Sequence, residues 1–385
     1  MNDLDVLIAG LNKRYKDNIV RRGSGYNKIK LIPFSSPRAN YLLYGGIPLG
    51  RSTEFFGQEG SGKTTSAIDI VKNAQIMAKE DFESAIDEMS DKIDLMEEKA
   101  NKSEVKELAK LKAEFDAFDT KGVRKVVYID AENTFDEDWA KLNGVTVDDL
   151  ILLRPTEQTC EQVLQMALDL IKTDGVILLV IDSLPMLVPQ QLYDEDLSKS
   201  SYCGISGPLT KFSARVAPLL SRFNTALIGI NQSRDSMDEY APDSTPGGRG
   251  WKHLQGLRME FRKGAFLDEN NEELKRSAET PAGNLVAITI RKTKVAKPDR
   301  RLGSYTLNYT IGIDIVADTI AMAVFFKLIR QAGAWYSIVD AEGNPVLVDD
   351  APLKFNGKVA LNEYFRNNEE FFKDMHRQVN VLCCQ

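Results

Sequence analysis

Apolar residues fall along most of this chain in two rhythms. Short, almost wholly apolar runs occupy residues 52–56, 125–129, 150–153, 175–181 and 225–230. Between them, residues 64–78 and 157–172 carry apolar positions at helical spacing. Strands without strict alternation, separated by helices, predict a mostly parallel sheet covered on both faces. Residues 284–291 and 305–309 read as later strands that extend it in the antiparallel sense. Upstream, residues 3–16 predict a short amphipathic helix with Leu4, Leu7, Ile8 and Leu11 on one side, followed by a lone extended piece at 28–34. Such a segment lacks a core of its own, so it packs back or packs on a neighbour.

Residues 79–121 break the alternation. Phe82, Ile86, Met89, Ile93 and Met96 recur at steps of four and three, the period of a coiled-coil seam. Ser103 follows as an N-cap, then Val105, Leu108, Leu111, Phe115 and Phe118. The pattern predicts a helical hairpin, inserted into the domain, whose arms zip along one apolar stripe. The stretch holds 8 Lys and 14 Asp or Glu, a balance of −6 out of the chain's −7.

That charge excludes a wholesale basic surface but not a local basic site. At 385 residues, 43% hydrophobic and 27% charged, the chain has the make-up of a globular protein of two or three domains. Four Cys at 160, 203, 383 and 384 are too few and too scattered for a disulfide scaffold, and lack metal-ligand spacing. The first residues do not read as a secretion signal, and no run of 18 apolar residues spans a bilayer. The expected setting is a reducing one, cytoplasmic.

The chemistry starts at Gly57-Gln58-Glu59-Gly60-Ser61-Gly62-Lys63-Thr64, which fits G-x-x-x-x-G-K-[ST] without a mismatch. It follows one expected strand and opens an expected helix, the context that the motif requires. Glycines let consecutive backbone N–H groups curl into an anion nest, and the helix N-terminus adds partial positive charge. Lys63 would bridge the β and γ phosphates, and Thr64 would hold Mg²⁺. A second carboxylate for the metal is expected at Asp182, which ends the apolar run from Val176. A hydrolase also needs a group to orient water. Asp130, Glu132 and Asp136 follow the 125–129 strand, and spacing alone leaves the three undecided.

Taken together, the chain resembles the RecA family of recombinases over about residues 40–340. The likeness rests on 57–65, Tyr128-Ile129-Asp130-Ala131-Glu132, Val180-Ile181-Asp182-Ser183, Ile230-Asn231-Gln232, Thr245-Pro246-Gly247-Gly248 and Gly333-Ala334-Trp335-Tyr336, in order and spacing. The resemblance implies ATP with Mg²⁺, a nucleotide loop running from Gly57 to Thr65, Glu132 as the water-activating carboxylate and Gln232 as the sensor of the γ-phosphate. It puts Asp136 and Trp139 at the adenine, and Lys292 and Lys294 across a subunit interface at the neighbour's ATP. It implies DNA contacts from two loops, 190–204 and 233–250, through Arg234, Met237, Gly247, Gly248 and Arg249, with Arg215 after the first. Departures are the hairpin, Pro208 and His253 at family DNA and communication positions, and an acidic load of Asp235, Asp238, Glu239 and Asp243 in the second loop. A bacteriophage-encoded, UvsX-like branch would account for such divergence.

The expected organisation is an N-terminal polymerisation segment (1–40), an α/β RecA-like P-loop ATPase core (41–310) and a small C-terminal α+β domain (311–385). The expected function is a DNA-dependent ATPase and recombinase. It would form filaments of many copies on single-stranded DNA, pair them with homologous duplex DNA, and work with a single-strand-binding or loader protein. In such a filament Phe34 would pack on the adjacent subunit, so that Phe34→Asp would abolish filaments and spare the monomer. Rival readings are a ring-forming helicase-type motor and an ATP-binding adaptor without DNA-stimulated hydrolysis.

Overall fold

The computed structural model describes residues 3–15, 20, 29–99, 105–194, 196, 204–233, 245–340, 342–348 and 351–385. They fall into two units, divided between Lys30 and Leu31. The first holds helix α1 (Asp3–Tyr15), with acids in its first turn and bases in its last, as a helix dipole favours. The Asn12 side chain bonds both the N–H and the C=O of Val20.

The second unit opens with β1 (Leu31–Ile32), antiparallel to β2 (Ile47–Pro48), with helix α2 (Pro37–Leu43) between them. This corrects the expectation for the extended piece. Ile32 and Phe34 are 0% and 2% exposed and lie in the chain's own core, where Phe34 stacks near Phe55. Phe34 is an internal residue, so its replacement by Asp would strike the monomer itself.

Along the chain come β3 (Ser52–Gly57), α3 (Lys63–Lys99), α4 (Val105–Lys121), β4 (Lys125–Asp130), α5 (Glu137–Leu142), β5 (Leu150–Leu153), α6 (Cys160–Lys172) and β6 (Val176–Asp182). Then follow α7 (Gln190–Tyr193), α8 (Ser206–Phe223), β7 (Ala226–Gln232), α9 (Gly248–Leu254) and β8 (Leu257–Leu267), to which β9 (Glu273–Leu274) adds a short antiparallel edge. β10 (Gly283–Thr293), β11 (Leu302–Asn308) and β12 (Gly312–Ile313) finish the sheet. Its order is β12-β11-β10-β8-β3-β7-β6-β4-β5, parallel from β8 to β5 and antiparallel on the other side.

The central strands are apolar on both sides because both faces are covered. Phe55, Val126, Tyr128 and Val180 pack with Ala67, Val71 and Ala74 of α3. The alternate residues Val127, Ile129, Leu179 and Ile181 pack with α6 and α8. The expected strands and the antiparallel extension are present. Several strands escaped the sequence reading, and the longest is β8, where Leu257, Met259 and Phe261 point into the core and Arg258, Glu260 and Arg262 alternate with them.

The hairpin differs from expectation in one respect. Instead of a helix over 64–78 followed by a separate insertion, α3 runs unbroken for 37 residues. α4 packs back on it, with Phe82 and Phe118 stacked at 5.3 Å and Lys112 bridged to Glu97 at 2.5 Å. The seam residues from Phe82 to Met96, and Leu108, Leu111, Phe115 and Phe118, are all half-buried, while Val105 is exposed.

The last part is α+β, as expected: α10 (Ile315–Phe325), a sheet of β13 (Ile329–Ala332), β14 (Trp335–Ile338) and residues 354–356, then α11 (Lys358–Asn367) and α12 (Glu369–Cys383). It has its own core around Ile320, Ile338, Leu361, Phe365 and Val379. Cys160 and Cys383 are buried free thiols, and Cys384 is an exposed one. Among the described residues, no helix is long and apolar enough to cross a membrane.

Candidate nucleotide site

The carboxyl ends of β3, β4, β6 and β7 meet at one cavity of about 400 Å³. This is the edge where ligands bind in open parallel sheets. Gly57 ends β3 so close to β8 that a Cβ would lie 2.1 Å from the Phe261 carbonyl oxygen, which only glycine permits. Residues 59–65 line the cavity, so the N-terminus of α3 opens directly onto it.

Inside, Lys63 donates from Nζ to the carbonyls of Gly57 (3.1 Å) and Gln58 (2.7 Å). Burial pushes its pKa down, and the carboxylates of Asp182, Glu132 and Glu59 pull it back up. Thr64 Oγ1 donates to Asp182 Oδ2 at 2.9 Å, and the Tyr128 hydroxyl donates to the same oxygen at 2.6 Å. Burial raises the Asp182 carboxyl, against those two hydrogen bonds. Burial and the Asp182 carboxylate push the Tyr128 phenol well above 10, which keeps it a donor. Thr64 and Asp182 together present only oxygens, the donor set that suits Mg²⁺.

The three acids left open by spacing now separate. Glu132 lines the cavity, accepting from Ser183 Oγ at 2.5 Å and from Gln232 Nε2 at 3.5 Å. Asp130 is buried and organises its loop, accepting the N–H groups of Thr134 and Phe135 and pairing with Arg154. Asp136 is exposed and caps α5 through the Trp139 N–H at 2.9 Å. Trp139 lines the cavity and Asp136 does not.

The far wall was missed by sequence reasoning. Lys263, Asn284, Leu307 and Tyr309 complete it from β8, β10 and β11 and the residue after it. Tyr309 donates its hydroxyl to Asn284 Oδ1 at 2.8 Å, which fixes the ring, and Lys263 Nζ lies 5.9 Å from that ring's centre. Such residues carry no motif; their only signal is a place at strand ends in the antiparallel extension.

The remaining expected residues lie elsewhere. Lys292 donates to the carbonyls of Lys252 (2.6 Å) and His253 (3.3 Å), and Lys294 to that of His253 at 3.1 Å. Both thus hold the C-terminal end of α9, away from this chain's own cavity lining. Burial and the neighbouring Lys294 and Arg258 lower Lys292 to about 8. Arg215 is exposed on α8, Arg249 is exposed on α9, and Gly247 and Gly248 start α9 with φ of 107° and 71°. Arg234 and Met237 lie outside the described residues.

Comparison with known proteins gives one family. A model of the RecA N-terminal domain matches residues 95–314. The protein RecA of Acholeplasma laidlawii (strain PG-8A) is 28% identical over 98% of this chain and 96% of its own. That of Chlorobium chlorochromatii is 26% identical over 99% and 91%, and that of Lactobacillus johnsonii 30% over 88% and 79%. These relatives extend the likeness beyond the family-model match, across the glycine-rich loop.

Proposed function

The chain belongs to the RecA family of recombinases, and from that premise we propose that its nucleotide site hydrolyses ATP in response to single-stranded DNA. ATPase and recombinase activity in recombination and repair is common to the family.

Lys63 would exchange the carbonyls of Gly57 and Gln58 for the β and γ phosphates of ATP, a gain in charge pairing for a buried lysine. A bound Mg²⁺, held by Thr64 and Asp182, would supply neutralisation of the phosphate charge. Glu132 takes the proton of the attacking water, and the Ser183 hydroxyl orients its carboxylate. Gln232, at the end of β7, meets the γ-phosphate and leads straight into the 233–250 segment. The base would stack in the part of the cavity that Trp139 and Tyr309 line, with Asp136 close by on α5.

In a filament on DNA, Lys292 and Lys294 would turn to the neighbour's ATP, as interface cations do in other NTPases. Arg215, Arg249 and the start of α9 at Gly247 and Gly248 would meet backbone phosphates, together with Arg234 and Met237. The first unit, with helix α1, would join adjacent copies, while residues 31–40 stay with their own core.

The observation that carries this reading is the convergence of Thr64–Asp182 and Ser183–Glu132–Gln232 on one cavity. The test is ATP hydrolysis with and without single-stranded DNA, beside Glu132→Gln. Strong stimulation that disappears in the variant supports it. Nucleotide binding with no stimulation in the unaltered protein would instead favour an ATP-binding adaptor.

A further inference from the structure

Three residues before the glycine-rich loop, β3 buries a carboxylate. Glu54 is 0% exposed, in the middle of the sheet, where a charged side chain persists only if its partners satisfy it. Three donors do so. Asn231 Nδ2 and Trp251 Nε1 donate to Oε1 at 2.8 and 3.0 Å, and the Arg258 guanidinium is paired with Oε2. The fit is built into the backbone as well. Gly229 lies opposite Glu54 on β7, and a Cβ there would fall 2.4 Å from the Trp251 ring.

Each donor belongs to one of two stems. Asn231 belongs to the nucleotide side: its Oδ1 accepts the N–H of Gln232, the residue whose amide lies 3.5 Å from Glu132. Trp251 and Arg258 belong to the other side. Trp251 anchors α9, and Arg258 reaches on to Thr245 Oγ1 at 3.2 Å. Asn231 Nδ2 joins the two stems directly, donating also to the Pro246 carbonyl at 2.9 Å. Gln232 and Thr245 thus flank residues 233–244, most of the 233–250 segment assigned above to DNA, and Glu54 ties both flanks together.

We infer that Glu54 is a positioning residue that couples the nucleotide site to DNA: it fixes the Gln232 stem against the Thr245–Trp251 stem, so that a shift of one is passed to the other. This rests on the DNA-binding role proposed for the 233–250 segment. Glu54 touches no part of the cavity, so it acts on the coupling and not on nucleotide binding. Glu54→Gln keeps the shape but leaves one acceptor oxygen for three donors and sets an amide N–H₂ among them.

The test compares wild type, Glu54→Gln, Trp251→Phe and Thr245→Val. For each, ATP hydrolysis is measured without DNA and over a titration of a single-stranded oligonucleotide, beside thermal melting. Expected for Glu54→Gln are a DNA-independent kcat and KM within about twofold of wild type and a roughly tenfold loss of DNA stimulation, the size of one charged hydrogen bond. Trp251→Phe and Thr245→Val each remove one hydrogen-bonding group and should show smaller losses of the same kind. They decide the matter if Glu54→Gln does not fold. Equal fold-stimulation in wild type and variants, or a parallel fall in basal rate and melting temperature at unchanged stimulation, overturns the inference alone. A wild type without stimulation overturns the reading it rests on, and the inference with it.

Discussion

Thr64 and Asp182 stand 118 positions apart in the chain, yet the Thr64 hydroxyl donates to the Asp182 carboxylate at 2.9 Å. Burial raises that carboxyl from its ordinary value, so protons would compete with a cation bound there. Magnesium-dependent nucleotide binding should therefore weaken as pH falls toward the raised pKa, and recover above it. A fluorescent-nucleotide titration across pH measures this. Asp182→Asn should lose at least about tenfold in magnesium dependence and show no such pH profile.

The opposite wall of the cavity makes a separate prediction. If the base stacks on Tyr309 as proposed, Tyr309→Ala should raise the KM for ATP roughly tenfold with kcat nearly unchanged, since such a wall would bind ground and transition states alike. Tyr309→Phe removes only the hydrogen bond to Asn284 and should shift KM by about threefold or less. Steady-state kinetics over ATP concentration separates the two effects.

Asp318 is fully buried, accepting from Ser36 Oγ and the Thr306 N–H with Arg38 3.6 Å away, and burial raises its carboxyl to about 6. Folded protein then holds this proton more tightly than unfolded protein does. Its contribution to stability is greatest at low pH, falls as pH rises through the window from about 4 to 6, and is constant above. Asp318→Asn should gain on wild type across that window, by on the order of 1–3 kcal/mol at neutral pH. Chemical denaturation at a series of pH values reads the difference.

Phe34 gives a test of the fold itself. With the ring 2% exposed and packed near Phe55, Phe34→Asp should destabilise the folded chain by about 3–5 kcal/mol, through the lost packing and a buried charge. Thermal melting of the dilute protein without DNA or nucleotide should show this. A wild-type melting curve would return Phe34 to the surface role that its position in sequence invites.

In the hairpin, Phe118→Ala should loosen α4 by roughly 1 kcal/mol, because the stacked partner Phe82 is its main aromatic contact. Amide exchange over residues 105–121 should quicken, while ATP hydrolysis stays as it was.

The nucleotide loop, Asp182 and the parallel strands were legible because each is local: a glycine spacing, or an apolar run ending in an acid. Spacing could not separate Glu132 from Asp130 and Asp136, which follow the same strand; the resemblance singled out Glu132, and the structure adds that of the three it alone lines the cavity. β8 had a signal that was overlooked. Its strict alternation of Leu257, Met259 and Phe261 with charged residues is the mark of a strand, but Arg258 and Glu260 look like surface until Glu54 and Arg291 are seen beside them. The far wall of the cavity was illegible for another reason: Lys263, Asn284 and Tyr309 come together only when the antiparallel strands are laid in order. Phe34 was misjudged because a two-residue strand partner at 47–48 is too short to leave a pattern.

The unbroken course of α3 has a mechanical consequence. One helix begins at the phosphate seat and ends at the outer arm of the hairpin, so the two are parts of a single lever. At 1.5 Å per residue its 37 residues reach roughly 55 Å, and a tilt of about one degree at the first turn displaces the far end by about 1 Å. Because α4 is clamped alongside, the arm is stiffer than a lone helix, and a movement too small to notice at its first turn becomes a displacement of about an ångström at its tip.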